Sequence, residues 1–156
     1  QIKLLTPSGS VIVGTVSFHP TDSRLLIVSL FQDTLPRNTL RPIDAIIDPE
    51  HVNVEDKLLN PATGTRYLLV NDIGNFSNLQ GAVAWRGSDG QDLVARSGDI
   101  VEYNGNHWVV VFDNASVSSV EYVSNLNTSI QYCHRDGEWS KSVDGLYEGG
   151  KWSLIL

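Results

Sequence analysis

The side chains best suited to chemistry are few and scattered along this chain of 156 residues. The histidines, His19, His51, His107 and His134, form no His-x-x-x-His pair. Only Cys133 and His134 place two potential metal ligands next to each other. Adjacent residues of a strand point to opposite faces, so this pair cannot readily hold one ion. We therefore predict no metal site here.

A second candidate for metal binding is an acidic stretch, made of Asp44, Asp48, Glu50, Glu55 and Asp56. A calcium-binding loop needs alternating oxygen ligands and a glycine at its sixth position, and that spacing is absent. We interpret the stretch as a solvated acidic face.

The sequence carries no motif of an enzyme. It has no Gly-x-Ser-x-Gly elbow, phosphate-binding loop or dinucleotide fingerprint. Its single cysteine, Cys133, excludes an internal disulfide and fits a reducing compartment. Because Cys133 lies in a strand pattern, we expect a buried, inert thiol. The sequence thus predicts a protein that is not an enzyme, with no catalytic residue and no cofactor.

Charge and hydropathy narrow the possible partners. The net charge of −7 argues against a nucleic-acid duplex as the main partner, since phosphate binding needs a positive patch. No run of 18 apolar residues and no signal peptide is visible, so we expect no membrane association. The chain begins with Gln1 and contains no methionine, which suggests either processing or a piece of a longer protein.

Aromatic residues and glycine turns repeat near the C-terminus. Three segments have the order tyrosine, glycine turn, tryptophan: 103–108, 132–139 and 147–152. Their Asn-Gly, Asp-Gly and Gly-Gly pairs tolerate positive φ at both central positions of a turn. The pattern therefore predicts three β-hairpins. A looser echo relates residues 60–67 to residues 125–132, as a degenerate repeat at the scale of a hairpin.

Two-residue loops in these hairpins would fix their cross-strand pairs. With a loop at Asp136-Gly137, Arg135 faces Glu138 and His134 faces Trp139. A loop at Gly149-Gly150 gives the equivalent pairs, Glu148 with Lys151 and Tyr147 with Trp152. Opposite charges next to the turn, followed by an aromatic pair, each stabilise a sheet by roughly 0.2–1 kcal/mol.

The tryptophans of these hairpins have two possible roles. Trp108, Trp139 and Trp152 could stack on sugars in a carbohydrate-binding module. Each lies in a similar place beside a turn, which favours core and cross-strand packing instead.

The remaining pattern predicts an all-β fold, a hairpin-rich sandwich or small barrel with degenerate C-terminal β-hairpin repeats. No segment has a sustained helical period, and turn residues recur every 8–12 positions. The apolar run from Leu25 to Phe31 predicts a buried strand, and Gly14 suggests a bulge in the strand from Val11 to Phe18. We expect a main domain over 1–120, with a sub-boundary near 55, and a C-terminal hairpin region over 121–156 packed on it.

Two longer motifs resemble structural proteins of tailed-phage particles of the contractile-tail, myovirus type. They are the segment 56–69, which contains Asn60-Pro61-Ala62-Thr63-Gly64-Thr65-Arg66-Tyr67, and the segment 97–110, which contains Gly98-Asp99-Ile100-Val101-Glu102-Tyr103-Asn104-Gly105-Asn106-His107-Trp108. Neck, head–tail connector, baseplate and fibre domains carry similar strand pairs and hairpins. The resemblance covers roughly residue 56 to the end, and the endings 132–139 and 146–156 share it.

This resemblance implies a non-enzymatic assembly role in a virion that forms in the host cytoplasm. The partners would be other virion structural proteins, and the chain would form a homo-oligomeric ring. The C-terminal hairpins, with exposed strand edges, suit docking by strand addition. The interface residues we predict are Trp139, Tyr147, Trp152, Leu154 and Leu156. The alternative is a carbohydrate- or peptide-binding module, with a glycan as the second choice of partner.

Overall fold

The computed structural model describes residues 1–5, 10–23, 26–49, 61–74, 85, 93–142 and 153–154. Within these residues the fold is all-β, as the sequence predicts, with three sheets of three or four strands and no closed barrel. One short 3₁₀ turn, Gln32–Thr34, is the only helical element among them. The chain divides into two compact units, residues 1–37 with 142–156, and residues 38–141. These bounds differ from the division at 120/121 expected from the sequence.

The first unit contains one antiparallel sheet with the strand order β11-β1-β2-β3. Its strands are β1 (Ile2–Leu5), β2 (Val11–Phe18), β3 (Leu26–Leu30) and β11 (Ser153–Leu154). The last strand pairs with the first, with Leu154 opposite Ile2. Ile2, Leu4 and Ile12 form a small buried cluster, because alternate residues of paired strands share one face.

The described residues of the second unit form two sheets. One has the order β4-β5-β6-β7, formed by β4 (Ala45–Ile47), β5 (Arg66–Leu69), β6 (Ile100–Tyr103) and β7 (Trp108–Phe112). The other has the order β10-β9-β8, formed by β8 (Glu121–Ser124), β9 (Gln131–Arg135) and β10 (Glu138–Lys141). Only β4 and β5 run parallel; the other pairs of strands are antiparallel.

One segment connects these two sheets. The backbone N–H groups of Thr39 and Leu40 both donate to the carbonyl of Tyr122, and the N–H of Ile43 donates to the carbonyl of Ser124. The same segment then continues into β4 of the other sheet. It therefore covers the outer edge of β8 before it joins the edge of the sheet β4–β7.

The sheet β4–β7 has an apolar cluster on each face. Leu69, Val101 and Trp108 belong to one cluster, with Trp85 completely buried inside it. The neighbouring Leu68 and Ile100 belong to the other cluster. Consecutive strand residues point to opposite faces, so β5 and β6 supply both clusters.

A bulge in β7 lets this strand supply both clusters as well. Ile100 pairs with Phe112 but Val101 pairs with Val110, so Val111 is the extra residue. Without it, Trp108 and Phe112 would point to the same face, since they are four residues apart. The bulge sends Trp108 to the first cluster and Phe112 to the second.

Two predictions about the first unit are wrong in detail. Within the run from Leu25 to Phe31, residues Leu26–Leu30 form a strand, but that strand is not buried: Leu26 is 60% exposed and Val28 is 47% exposed. Among the strands that the structure describes, only β2 pairs with it, so it lies at the edge of its sheet. Gly14 is not a bulge either, because its pairing with both Ile2 and Leu30 keeps a regular register.

Candidate functional site

The hairpin β9–β10 has the geometry that the sequence predicts. Arg135 pairs with Glu138 and His134 pairs with Trp139. Asp136 and Gly137 have φ values of 52° and 82°, so both central positions of the turn are left-handed. This is the turn whose twist matches that of the flanking strands.

The hairpin β6–β7 forms where predicted, but its turn differs. Tyr103 pairs with Trp108, and the N–H of Asn104 donates to the carbonyl of His107 over 3.1 Å. The central pair is therefore Gly105-Asn106, and Gly105 alone has a positive φ, 105°. Asn104 turns its side chain inward instead, where Oδ1 accepts the N–H groups of Asn106 and His107. Its capacity for such a local turn explains why an Asn-Gly pair does not by itself fix the turn type.

The indole of Trp139 is held in place by neighbouring groups rather than free to stack on a ligand. Its Nε1–H donates to the carbonyl of Gly98 over 2.8 Å. Its ring lies 5.2 Å from that of Phe112 and 5.1 Å from that of His134, centroid to centroid. The indole is therefore held at both its polar and its apolar end.

Asn114 joins the strands around Trp139. Its Nδ2 donates to the carbonyls of Ser97 and Gly137, over 3.3 and 3.1 Å. Its Oδ1 lies 2.8 Å from Nε2 of the completely buried His134. An amide oxygen only accepts, so Nε2 of His134 carries the proton that makes this bond. One amide thus connects the loop at residue 97, the turn at 137 and strand β9.

An open cleft of about 390 Å³ lies beside this network, within the second unit. Its apolar walls come from Ile46, Leu68, Leu69, Val70, Tyr132 and Trp139. Ser97, Gly98, Asn114, Gly137 and Glu138 complete the lining. The cleft therefore lies between the ends of β4 and β5 in one sheet and the hairpin β9–β10 of the other.

Three polar side chains of the cleft walls are hydrogen-bonded within the protein, and the exposed carboxylate of Glu138 is not among them. Oγ of Ser97 donates to the carbonyl of Val70, and the amide of Asn114 and the indole N–H of Trp139 make the bonds described above. A sugar needs free donors and acceptors to replace its bound water, whereas an apolar side chain needs none. The cleft therefore offers an apolar surface to such a side chain, and the exposed carboxylate of Glu138 is placed to meet a polar group of a ligand.

A separate charged group lies on the sheet β4–β7. Nε of the buried Arg66 lies 2.9 Å from Oε2 of Glu102, and Nη1 of the exposed Arg41 lies 3.3 Å from the same oxygen. Nη1 of Arg66 also donates to the carbonyl of Arg41 over 2.7 Å. Desolvation by burial lowers the pKa of Arg66, and Glu102 opposes that shift. Arg66 is thus held by the ion pair with Glu102 and by the carbonyl of Arg41, so the group supports the sheet.

Cys133 is buried, as predicted, and its thiol is not activated. Burial raises the pKa of the Cys133 thiol, with smaller opposing effects from Tyr122 and Arg135. Because the thiolate is the nucleophile, a raised pKa leaves the side chain unreactive near neutral pH.

The structure describes two residues of the acidic stretch, Asp44 and Asp48, and the carboxylates of both accept hydrogen bonds from neighbouring groups. Oδ2 of Asp44 accepts the N–H of Arg66, and Oδ1 of Asp48 accepts the side-chain amide of Asn71. Both residues are partly buried, so the expectation of a solvated face does not hold for them. Glu50, Glu55 and Asp56 lie outside the described residues.

The predicted interface residues fall into three groups. Trp139 lines the cleft, and the backbone of Leu154 lies in β11, paired with β1. Tyr147, Trp152 and Leu156 lie outside the described residues, as does the predicted hairpin around Gly149-Gly150. The role of all five in an interface stays a prediction.

Sequence reasoning missed Trp85 and the network around Asn114. Trp85 is the largest completely buried side chain among the described residues, and its ring lies 4.8 Å from that of Trp108. No motif marks it, since it stands apart from the three hairpin segments. The pair Asn114 and His134 is separated by 20 residues, and only the fold brings it together.

Over the described ranges, no group of three or more His, Cys, Asp and Glu side chains is placed to hold a metal ion. In the same ranges, no helix is long and apolar enough to cross a membrane. No protein-family model matches the chain, and neither a curated protein nor a solved structure matches it.

Proposed function

We propose that this protein is a non-enzymatic structural component of a phage particle, acting in a neck, connector, head or tail through contacts between subunits. The observation that carries the proposal is the apolar edge of the first unit. Strand β3 leaves Leu26, Ile27 and Val28 exposed, and Phe18 next to it is 78% exposed. An edge strand of this kind presents unpaired backbone groups and apolar side chains to another chain.

The residues of the β3 edge favour its burial against another chain over its exposure to solvent. Natural proteins protect free edges with charges, proline or bulges, and β3 has none of these between Leu26 and Leu30. Contiguous exposed apolar surface marks sites of interaction. The resemblance of segments 56–69 and 97–110 to virion proteins adds the phage context to this physical argument.

The function is tested by the association state of the purified chain and by its incorporation into particles. Native mass spectrometry should find oligomers, and the chain should co-purify with particles assembled from the neighbouring gene products. Val28→Lys places a charge on the edge strand and should abolish both. A wild-type chain that stays monomeric and is absent from particles would contradict the proposal.

A binding module remains the second candidate, because of the cleft at Trp139. Its walls combine apolar side chains with the exposed carboxylate of Glu138, so their chemistry suits either a peptide or a glycan. Titration with mono- and oligosaccharides, followed by tryptophan fluorescence, separates these options. Saturable quenching by a sugar in a chain that does not self-associate would favour the carbohydrate-binding module.

A further inference from the structure

The backbone of β3 has hydrogen-bonding groups that point away from its own sheet. Among the residues that the structure describes, β2 alone bonds to this strand. Val13 and Phe31 continue the register of the two strands, and the N–H of Phe31 donates to the carbonyl of Val13 over 2.8 Å. Antiparallel pairs alternate between a hydrogen-bonded and a non-hydrogen-bonded kind, so Leu26, Val28 and Leu30 form pairs of the second kind. Their N–H and C=O groups therefore point outward, at the edge.

The side chains of the same three residues lie together on one face of the sheet, because alternate residues of a strand point the same way. At one end of this face, Leu30 packs against the small buried cluster of the first unit. At the other end, Val28 is 47% exposed, Leu26 is 60% exposed, and Phe18, which pairs with Leu26, is 78% exposed. Exposed apolar side chains therefore accompany the outward backbone groups.

The sequence of β3 is complementary to a second copy of itself. When two copies run antiparallel with Val28 at the centre, Leu26 of each copy lies opposite Leu30 of the other. In the same register, Ile27 lies opposite Ser29. Like charges that face each other across a strand pair are destabilising. The segment from Leu26 to Gln32 has no ionisable side chain, so the two copies meet without such repulsion.

We propose that the β3 edges of two copies of this chain pair antiparallel about a two-fold axis at Val28. The outward backbone groups of Leu26, Val28 and Leu30 then gain partners in both copies at once. Two four-stranded sheets become one continuous sheet, whose size is within the range of open sheets. The inference rests on the proposed function, and it assigns the apolar edge to a second copy.

The two-fold symmetry distinguishes this pairing from other contacts at the same edge. In an isologous contact a surface meets itself, so the residue on the axis faces its own copy. A different protein, or a head-to-tail contact between copies, places another residue opposite Val28. The identity of the group that faces Val28 therefore decides between these arrangements.

Opposite charges at Val28 test whether this residue faces its own copy. Val28→Lys and Val28→Glu each bring two like charges together, so each variant alone should stay at 17.2 kDa at a concentration that makes the wild type dimeric. An equimolar mixture places a lysine opposite a glutamate and should give a heterodimer of twice that mass in native mass spectrometry. Val120→Lys, at a residue of the second unit that is 40% exposed, is the matched control and should dimerise. Thermal melts of the dilute monomers establish that each variant is folded.

Cysteine cross-linking tests the register without adding a charge. A hydrogen-bonded pair places its two Cα atoms about 5.5 Å apart, within the range that a disulfide spans. Val28→Cys should therefore form a covalent dimer on mild oxidation. Ile27→Cys should not cross-link to itself, whereas a mixture of Ile27→Cys with Ser29→Cys should form a covalent heterodimer. The wild type is the control for the buried Cys133.

The inference is overturned if Val28→Lys or Val28→Glu alone dimerises like the wild type, or if their mixture gives no heterodimer. A covalent dimer of Ile27→Cys alone overturns the register. A wild type that is monomeric at every concentration but enters particles overturns the inference and leaves the proposed function standing. A wild type that dimerises through Val28 but is absent from particles supports the inference and contradicts the proposed function.

Discussion

Strands β3 and β7 have similar sequences and opposite surroundings. β3 reads Leu-Ile-Val-Ser-Leu and β7 reads Trp-Val-Val-Val-Phe. The ends of β7, Trp108 and Phe112, are buried in two separate clusters, whereas the first four residues of β3 are exposed. A run of β-branched and apolar residues therefore specifies a strand, but its burial depends on a second layer and on its place in the sheet.

The largest test of this contrast is the removal of one side chain from each strand. Trp108→Ala should lower the free energy of unfolding by about 3–5 kcal/mol, the usual range for a buried large aromatic. Trp108 contacts the rings of Tyr67, Trp85 and Tyr103. Val28→Ala, on the exposed strand, should change it by less than about 0.5 kcal/mol. Urea unfolding followed by circular dichroism measures both, and equal losses would contradict the contrast.

Buried and exposed charged side chains can be compared in the same way. Glu102→Gln should lower the free energy of unfolding by about 3 kcal/mol, because it removes the carboxylate that forms an ion pair with the buried guanidinium of Arg66. Arg41→Ala removes only an exposed partner of the same carboxylate and should cost at most about 1 kcal/mol. Chemical denaturation of both variants gives the two values. A Glu102→Gln variant as stable as the wild type would mean that water replaces the lost carboxylate.

Gly98 and Gly137 have nearly equal φ angles, so substituting each by alanine separates the cost of a positive φ from the cost of a steric clash. Gly98 has a φ of 86° and Gly137 a φ of 82°. A Cβ at Gly98 would lie 2.5 Å from Nδ2 of Asn114, whereas one at Gly137 would meet nothing within 4 Å. Gly98→Ala should therefore destabilise the protein by about 1–3 kcal/mol more than Gly137→Ala, because displacing Asn114 leaves the buried His134 without the partner of its Nε2. Equal melting temperatures would show that Asn114 moves aside at little cost.

The free energy of unfolding should decrease slightly at alkaline pH. Burial raises the pKa of Cys133, and it also raises those of Tyr67 and Tyr122. Because these pKa values are raised in the folded state, the unfolded chain loses each proton at a lower pH than the folded protein does. The contribution of these groups to the free energy of unfolding is therefore fully present below the pKa values of the unfolded chain, about 8.5 for cysteine and about 10 for tyrosine. It is lost as the pH rises through the folded values. Cys133→Ser should reduce the fall between about pH 8 and pH 10, and an identical pH profile for variant and wild type would contradict the assignment.

The sequence predicts local pairing well and long-range burial poorly. The register of β9 and β10 follows from Asp136-Gly137, because a two-residue turn leaves only one alignment of its strands. The exposure of Leu26 and Val28 does not follow from the local sequence, since it depends on which strands lie at the edges of the sheet. The cleft depends on residues from distant segments, such as Val70, Asn114 and Trp139, and no local spacing encodes that meeting. The bulge at Val111 is likewise invisible in a run of three valines.

The segment that covers the edge of β8 has a consequence for the time course of folding. Thr39 and Tyr122 are separated by 83 residues, and Asn38 and Gln131 by 93. Closing so long a loop delays folding, because the chain entropy is lost before the contacts form. During synthesis, residues 39–43 leave the ribosome well before β8 exists. The two sheets of the second unit must therefore complete their connection late, and a nascent chain stalled before residue 122 should remain sensitive to protease.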